Sequence, residues 1–526
     1  MSAQVIGRSS AGRPGRLWRP GSLASRLVAG LVALVCCTPL VVIVTKALAV
    51  GPEKAGQLLW RPRVGELLGN TLSLVVLTVS ITVVLGVAAA WLVERTDLPL
   101  AGLWRVVLVC PLAVPAFVNA YAWVSIRPDL NGLTGAVLVT SLSYFPFVFL
   151  PVAAVLRGLD RSLEDTARSL GLGPWRAFLR ATLPQLRPAL MGGALLVALH
   201  LLAEFGVLAL VRFPTFTTAI LDQYQVAFDD AAGSVLASAL LALCLAFLTI
   251  DLVSRGRARH ARLGRGTPQR PTPVRLGRLT PVALAGIGLL VLLAIAVPVG
   301  SIGRWLAMGA DSLSAGDLLG PVWSSLRLAA TAAVLTTVAA FPVAWLVSRA
   351  TDRFDRWVAV AVERSTYLAS SLPGVVVALA LVGLAVRYLP SVYQTSALLV
   401  LAYAILFVPR AMVSIRAALA HLPPELGDAA RALGDNPVRA FLRVQLPLVL
   451  RGTLAGFALV FIAVSTELTA TLLLAPTGTR TLATAFWAAS ESLDYAAAAP
   501  YAAALVILSA PVTYLLMRRT EEVTAT

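Results

Sequence analysis

Long apolar runs alternate with short polar segments along the whole chain. About 20 mainly apolar residues in helical conformation cross the hydrocarbon core of a bilayer, and these runs are of that length. They are too long for barrel strands, and a helix is the remaining structure that pairs every backbone group in lipid. The pattern therefore predicts about twelve membrane-spanning helices. Their expected positions are roughly 27–49, 68–93, 105–126, 133–156, 188–212, 231–254, 280–303, 323–347, 363–387, 395–419, 451–474 and 494–517.

Composition supports a polytopic membrane protein of the all-α class. The 526 residues are 58% hydrophobic and only 13% charged, with a mean hydropathy of +0.83, whereas a soluble chain carries about a quarter charged residues. The net charge of +17 does not indicate nucleic-acid binding, because the arginines cluster between apolar runs. The four cysteines have neither CxxC spacing nor a nearby histidine, so no metal site or disulfide framework is predicted.

The distribution of Lys and Arg predicts the orientation, because the cytoplasmic loops of membrane proteins are richer in both. With a cytoplasmic N-terminus, only ten of the 43 basic residues fall outside, so both termini are expected in the cytoplasm of an inner-membrane protein. Arginines precede the first run as in a signal peptide, but many spans follow, which favours a retained span. Cytoplasmic tails are expected at 1–26 and 518–526. The Arg-rich internal segments are 157–187, 255–278, 349–356 and 431–451.

The two halves of the chain resemble each other. Residues 165–184 and 428–447 share thirteen of twenty positions and lie 263 positions apart. Residues 255–278 join the halves and hold eight arginines, three prolines and no acidic residue, which predicts a flexible linker against anionic lipid. We expect two parallel six-span domains, at 27–254 and 279–517, around an axis along the membrane normal.

Each repeated block is predicted to form two short helices with a turn between them. Gly171 and Gly434 suit a left-handed residue that ends the first helix. Pro184 and Pro447 are predicted to break the second helix just before the chain re-enters the membrane.

The blocks lie in predicted cytoplasmic loops at 160–184 and 423–447. Their spacing places Leu426, Ala430 and Leu433 on one helix face, and the first copy has the same face. A small apolar face flanked by arginines suits docking in a groove on a soluble partner. An interfacial helix on lipid headgroups is the alternative, but lipid contact would not require the same glycine and proline spacing twice.

The blocks resemble the EAA loop of ATP-binding-cassette (ABC) importer permeases. That family shows Glu-Ala-Ala, three residues, Gly, nine residues, Ile, one residue and Leu-Pro, and both copies keep this spacing. They depart from it by Asp for Glu in both copies and by Thr166, Ala181 and Val444. The resemblance implies a coupling helix that sits in a groove of an ATPase subunit. The matching residues are Asp165, Ala167, Gly171, Leu183 and Pro184, and Asp428, Ala430, Gly434, Leu446 and Pro447.

Three further stretches resemble the ferric-iron permeases, which are often fused twelve-span chains. They are Pro111–Trp123, Phe216–Ile220 and Glu467–Leu474 with Thr481–Thr484. The resemblance implies two tandem type I importer domains and a soluble or lipid-anchored binding protein outside the membrane that delivers the cargo. Permeases for thiamine, phosphonate and polyamine are similar in these stretches, so the substrate stays open.

The chain has no nucleotide site of its own. A Walker A motif needs Gly-Lys-Ser or Gly-Lys-Thr, and the only lysines, Lys46 and Lys54, are each followed by alanine. The chain is therefore not an enzyme by itself, and ATP and Mg²⁺ are expected on a separate ATPase. Two loops imply two ATPase copies for one chain that supplies the whole pore. A secondary transporter is the remote alternative, but it would not require the repeated loop.

Glu204 and Glu467 are carboxylates inside predicted spans five and eleven, at equivalent positions 263 apart. A charge in hydrocarbon is costly, so each faces either the transport path or a partner on a neighbouring helix. His200 lies one turn before Glu204, and alanine stands at the equivalent place, which favours packing over metal binding. Pro115 and Pro373 are predicted to kink spans three and nine, either shaping a gate or serving packing alone.

Overall fold

The structure is a computed structural model, and it describes residues 23–159, 162–225, 229–254, 273–309, 315–350, 353–370, 372–423 and 425–525. Within these ranges the regular structure is helical, with short loops and turns between the helices, and the one strand-like pairing is a bridge between Thr96 and Val274. The predicted all-α class is therefore confirmed. The N-terminal arginines up to Arg19, most of the basic linker and Thr526 lie outside the described residues.

In the described part of the first half the chain forms thirteen α-helices. A 3₁₀ turn at Cys110–Ala113 precedes α5, and a π-helical turn at Phe178–Thr182 precedes α10. The helices are α1 Leu23–Ala49, α2 Pro52–Leu59, α3 Pro62–Arg95, α4 Ala101–Val107, α5 Ala116–Ile126, α6 Gly132–Tyr144, α7 Pro146–Gly158, α8 Ser162–Ser169, α9 Pro174–Ala177, α10 Leu183–Ala203, α11 Gly206–Leu210, α12 Phe216–Gln225 and α13 Asp230–Ser254.

The second half has helices in a similar, not identical, order. It has π-helical turns at Leu292–Ala296, before α15, and at Phe441–Gln445, before α22. The helices are α14 Thr280–Val291, α15 Val297–Met308, α16 Ala315–Arg349, α17 Arg353–Ser370, α18 Gly374–Tyr388, α19 Ser396–Ala420, α20 Glu425–Ala432, α21 Pro437–Ala440, α22 Leu446–Ser465, α23 Thr469–Leu474, α24 Leu482–Glu491 and α25 Tyr495–Ala525.

The predicted spans are found as helices in the expected order. Among the described residues, nine helices are long and apolar enough to cross a membrane, or eleven if each of two interrupted pairs counts as one span. The predicted twelfth span corresponds to α25, whose apolar part, Tyr495–Pro511, is shorter than those eleven. The short helices α2, α12 and α24 occupy three segments that were expected to lie outside the membrane.

The chain divides into two compact units that do not follow the order of its halves. The smaller unit comprises Met1–Thr38, Ala330–Ser370 and Tyr403–Phe461, and the larger unit comprises Pro39–Ala329, Ser371–Ala402 and Ile462–Thr526. The first repeated loop belongs to the larger unit and the second to the smaller one. The predicted domain limits at 27–254 and 279–517 stay predictions.

Glycines allow close helix packing in both units. In the larger unit, a Cβ on Gly193 of α10 would lie 2.9 Å from the carbonyl oxygen of Phe147 and 3.0 Å from Cα of Val148, both on α7. In the smaller unit, a Cβ on Gly456 of α22 would lie 3.1 Å from the carbonyl oxygen of Ala411 on α19. Gly193 and Gly456 are 263 positions apart, so one backbone-to-backbone contact recurs in each half.

The prediction that Pro184 and Pro447 break a helix is wrong. Each proline lies just inside a long helix, α10 or α22, that continues from a π-helical turn. In the first copy the amide of Leu183 donates to the carbonyl of Phe178, five residues back. In the π-helical turn the backbone hydrogen bonds join residues five apart instead of four. This change comes where a proline ring would clash with the preceding turn, so the helix continues through the proline.

The described end of the linker is held against the first half. The amide of Val274 donates to the carbonyl of Arg95 at 2.8 Å, and the amide of Leu276 donates to the Asp97 carboxylate at 2.8 Å. At these two residues the predicted linker is therefore bound to the segment that follows α3.

Candidate functional site

Two long helices are interrupted at equivalent places. Helix α10 ends at Ala203 before α11 begins at Gly206, and α22 ends at Ser465 before α23 begins at Thr469. The sequence predicted continuous spans at 188–212 and 451–474 with a carboxylate inside each, and this detail is wrong. Glu204 and Glu467 lie in the breaks themselves.

Each carboxylate caps the short helix that follows it. The amide of Val207 donates to Oε1 of Glu204 at 3.0 Å, and the amide of Ala470 donates to Oε1 of Glu467 at 3.0 Å. The first amides of a helix have no partner within it, and a side-chain oxygen satisfies one of them. The repeat therefore preserves the cap as well as the residue type.

Threonine side chains bond the backbone at both breaks. The hydroxyl of Thr217 donates to the carbonyl oxygen of Glu204 at 2.7 Å, and that of Thr471 donates to the carbonyl oxygen of Glu467 at 2.7 Å. Irregular backbone within a membrane protein is tolerated where protein groups satisfy it or where it lines a cavity. These bonds account for how the breaks persist among apolar helices.

The surroundings of the two carboxylates differ. The hydroxyl of Tyr144, at the end of α6, donates to Oε2 of Glu204. Position 407 is equivalent to position 144 and holds phenylalanine. Glu467 instead lies beside Gly374, where a Cβ would be 2.9 Å from Oε1 of Glu467.

His200 belongs to an aromatic cluster beside Glu204. Its ring centroid lies 4.6 Å from that of Phe147 and 5.8 Å from that of Tyr144, and its Nδ1 is 2.8 Å from the carbonyl oxygen of Leu196. Among the described residues, no group of three or more His, Cys, Asp or Glu side chains could hold a metal ion. The packing role that the sequence favoured for His200 agrees with these contacts.

Pro115 and Pro373 begin helices instead of kinking continuous ones. Pro115 has φ −54° and ψ 139°, and Pro373 has φ −57° and ψ 144°, and each caps the helix that starts at the next residue. The segments on either side of Pro115 are bent by 88°. The predicted change of helix direction is thus present. It is a break between two helices at the extended proline, not a kink within one helix.

The two breaks meet within the larger unit. A Cβ on Gly206 would lie 2.6 Å from Cβ of Phe117 and 3.2 Å from Cδ2 of Leu468. Phe205 packs on Trp487 with ring centroids 5.1 Å apart. Interrupted helices brought together from two repeats form the cargo sites of many secondary transporters.

The repeated loops adopt the predicted glycine turn. Gly171 has φ +88° and Gly434 has φ +99°, so the positive φ predicted for both is confirmed. In the first loop the amide of Leu172 donates to the carbonyl of Ala167 at 3.1 Å, and that of Gly171 donates to Arg168 at 3.0 Å. The second loop has the same two bonds at 3.1 Å each. This pair of bonds defines a Schellman motif, which ends a helix at a left-handed residue.

A leucine is exposed beside each of these glycines. Leu170 is 79% exposed and Leu433 is 89% exposed, whereas Ala430 is only 7% exposed. The amide of Leu433 still donates to the carbonyl of Ala429 at 3.1 Å, one turn back, and the predicted face of Leu426, Ala430 and Leu433 stays a prediction.

The remaining candidate residues of the loops lie on either side of the glycine turn. Leu183 and Leu446 follow the π-helical turns, each directly before its proline. Asp428 pairs with Arg431 one turn later, and the side chain of Asp165 lies outside the described residues.

Sequence reasoning missed three positions at the breaks: Tyr144, Gly206 and Gly374. Gly374 could have been found from the sequence, because it directly follows Pro373, one of the two prolines already singled out. Ala116 follows Pro115 in the same way. Tyr144 could have been suspected from the repeat, since phenylalanine stands at the equivalent place. No local signal marks Gly206, whose neighbours come from distant parts of the chain.

Comparison with known proteins defines the class. Residues 82–260 and 340–519 each match the family described as binding-protein-dependent transport system inner membrane component. The chain belongs to this family, with one copy of the domain in each half. It is a multi-pass inner-membrane permease, the pore-forming part of a transport system.

Individual relatives cover the chain to different extents. The chain is 35% identical over 493 residues to the Fe(3+)-transport system permease protein FbpB 2 of Haemophilus influenzae, covering 93% of this chain and 96% of that one. It is 31% identical over 196 residues to the molybdenum transport system permease protein ModB of Escherichia coli, covering 34% and 86%. It is 28% identical over 241 residues to the sulfate transport system permease protein CysW of Escherichia coli, covering 42% and 82%.

Proposed function

We propose that this chain is the pore subunit of an ATP-driven importer that carries ferric iron into the cytoplasm. The observation that carries the proposal is the similarity to a ferric-iron permease along 93% of the chain, through both halves and both breaks. The molybdenum and sulfate permeases match less than half of it.

The breaks favour a cationic cargo, and we place the transport path along them, past Glu204, Glu467, Pro115 and Pro373. A carboxylate attracts a metal cation and repels an oxyanion such as sulfate or molybdate. Among the alternatives from the sequence, thiamine and polyamines are cationic and fit this charge, whereas a phosphonate does not.

Power comes from a separate ATPase, which holds ATP and Mg²⁺ and docks at the loops 160–184 and 423–447. The exposed side chains of Leu170 and Leu433 support this assignment, because an isolated leucine at the tip of a polar loop suits a pocket on a soluble partner. One chain carries two such loops and therefore takes two ATPase subunits. Both termini lie in the cytoplasm with the loops.

Transport follows alternating access. A binding protein delivers the cargo from outside, ATP closes the two ATPase subunits on each other, and the loops they hold move together. The two halves then rock about the breaks. The helices are already interrupted there, so their ends can separate without disrupting the hydrogen bonds of a continuous helix.

An uptake competition tests the proposed cargo. Cells that lack other ferric-iron uptake express the whole transporter, and uptake of radioactive ferric iron is measured with excess unlabelled ferric iron, thiamine, polyamine, phosphonate, sulfate or molybdate. We expect ferric iron alone to compete. Strong competition by any of the others, or no uptake above cells without this chain, would contradict the assignment.

A further inference from the structure

A second stretch of sequence is repeated near the end of a long helix in each half. Residues 90–93, in α3, and residues 344–347, in α16, both read Ala-Trp-Leu-Val. Each helix ends two residues after this stretch, on the side of the membrane where the repeated loops are expected. The repeat therefore places one tryptophan near each loop, at Trp91 and at Trp345.

Each tryptophan packs on a phenylalanine at the start of a π-helical turn. The ring centroid of Trp91 lies 6.4 Å from that of Phe178, with an angle of 72° between the ring planes. The ring centroid of Trp345 lies 5.4 Å from that of Phe441, with an angle of 87°. Both pairs are edge to face, an arrangement that the aromatic quadrupole favours. Phe178 and Phe441 are 263 positions apart, so the same contact recurs in each half.

The π-helical turns lie between the repeated loops and the long helices α10 and α22. The first helix of each loop, α8 or α20, contacts the turn of its own half. In the second half, a Cβ on Gly427 of α20 would overlap the side chain of Gln445 at the end of the turn. A displacement of the docked helix therefore reaches the turn directly. Such turns inside α-helices are found mostly at functional sites.

On the other side of the first contact, α3 is packed closely on α7. Gly86 lies five residues before Trp91, and a Cβ on it would be 2.8 Å from Cβ of Val148. The same Cβ would be 2.9 Å from the backbone nitrogen of Phe149. Close-packed interiors transmit strain because they contain few voids, so a displacement of α3 at Trp91 reaches α7.

An arginine adds to the contact in the second half. The guanidinium carbon of Arg349 lies 5.6 Å from the centroid of the Trp345 ring. The same guanidinium donates to the carbonyl oxygen of Leu422 at 2.9 Å. Leu422 directly precedes the second loop, and Phe441 lies near the end of that loop. The end of α16 is therefore attached to the loop at both of its ends.

We infer that Trp91 and Trp345 are positioning residues that carry the movement of each docked loop from its π-helical turn into the long helix beside it. The inference rests on the proposed function, since it takes the loops to be the sites where an ATPase docks. Coupling between distant sites is carried by packed side chains and rigid helices, and each aromatic pair joins a loop to such a helix. Loss of the ring contact should leave docking intact and separate ATP hydrolysis from transport.

Leucine substitutions with matched controls test this role. Trp91→Leu and Trp345→Leu keep an apolar side chain but remove the ring, whereas phenylalanine at either position keeps a ring. Trp305→Leu controls for lost packing, because Trp305 lies on α15 with its ring centroid 5.4 Å from that of Tyr495.

The assay uses proteoliposomes with the ATPase and the loaded binding protein. We expect the leucine variants at 91 and 345 to bind the ATPase with wild-type affinity and to hydrolyse about tenfold more ATP for each iron ion imported. The phenylalanine variants should regain most of the wild-type ratio, and Trp305→Leu should keep it. Weaker ATPase binding, an unchanged ratio, or an equal rise in Trp305→Leu would overturn the inference.

A double substitution tests whether the ring contact itself is responsible. Phe178→Leu should raise the ratio as Trp91→Leu does. The two changes together should be no worse than either alone, because both remove the same contact. Effects that multiply would show two separate roles and would refute the contact as the route.

A labelling experiment separates the inference from the proposed cargo. The four native cysteines are replaced by alanine, Ala203→Cys is introduced at the first break, and its reaction with a methanethiosulfonate reagent is timed with and without ATP in the assembled transporter. We expect ATP to change the rate about threefold or more when Trp91 is present and to have little effect in Trp91→Leu.

The outcomes of this labelling distinguish the two claims. If Trp91→Leu loses the ATP-dependent change but the wild-type transporter moves no ferric iron, the proposed cargo fails and the inference is supported. If iron moves but ATP changes the rate equally with and without Trp91, the inference fails and the cargo stands. A wild-type chain that binds no ATPase would overturn both.

Discussion

Replacing Gly171 and Gly434 with valine should weaken the association of the chain with its ATPase. Both glycines have positive φ, +88° and +99°, and no atom lies within 4 Å of the Cβ that either would gain. Valine would therefore meet no steric clash with a neighbour. Its cost is conformational, because a left-handed residue with a side chain costs about 1–2 kcal/mol and a β-branched one is the worst case.

This cost predicts the size of the effect. If the loop must keep its turn in order to dock, about 1–2 kcal/mol at one loop lowers the affinity for the ATPase roughly five- to thirtyfold. Replacement by asparagine is the matched control, because asparagine tolerates left-handed conformation and should lose only a fraction of this affinity.

The assay is binding of purified ATPase to the chain in lipid nanodiscs, with Gly171→Val, Gly434→Val and both asparagine variants measured in parallel. Membrane insertion and thermal stability of each variant are checked first, since the turn lies outside the spans. Unchanged affinity in the valine variants, or equal losses for valine and asparagine, would refute the argument from backbone conformation.

Three further predictions follow from the packing, the charge distribution and the duplication. Gly374→Ala should displace the Glu467 carboxylate at a cost of about 1–3 kcal/mol and lower ferric-iron uptake. The control is Gly288→Ala, which should leave uptake unchanged because no atom lies within 4 Å of the added Cβ. Equal uptake by the two variants would contradict this prediction. A fluorescent protein fused after Thr526 should fluoresce and alkaline phosphatase fused there should be inactive, and the reverse would overturn the cytoplasmic terminus. Native mass measurement should find one copy of this chain with two ATPase subunits, and two copies of each would disprove the one-chain pore.

Features that depend on nearby residues were predictable from the sequence. The turns at Gly171 and Gly434 follow from backbone chirality, since few residues other than glycine adopt positive φ readily. The spans follow from hydropathy because lipid imposes one length on every helix. The family of the chain followed from the spacing within two short loops.

Features that depend on pairing between distant residues were not predictable. Hydropathy averages over a window of residues. It could not show that helix α10 ends at Ala203, because the break at Glu204 changes only a few backbone bonds. The contact of Tyr144 with Glu204 joins positions 60 residues apart. Pro184 and Pro447 were misjudged because a π-helical turn changes the backbone pairing, and residue type alone does not reveal it.

The exposure of single side chains at the second loop was not predictable either. The left-handed Gly434 ends α20, and Leu433 beside it is 89% exposed, whereas Ala430 within the helix is 7% exposed. The same glycine that confirms the turn thus lies beside the side chain that is available for docking.

ATP-driven accumulation of ferric iron in proteoliposomes tests the central claim most directly. The vesicles contain this chain with its ATPase, the binding protein loaded with radioactive ferric iron is present on the extracytoplasmic side, and ATP is on the ATPase side. The account predicts that iron accumulates inside only while ATP is hydrolysed, and that a non-hydrolysable analogue stops accumulation. Iron entry that is independent of ATP, or ATP hydrolysis with no iron movement, would contradict it.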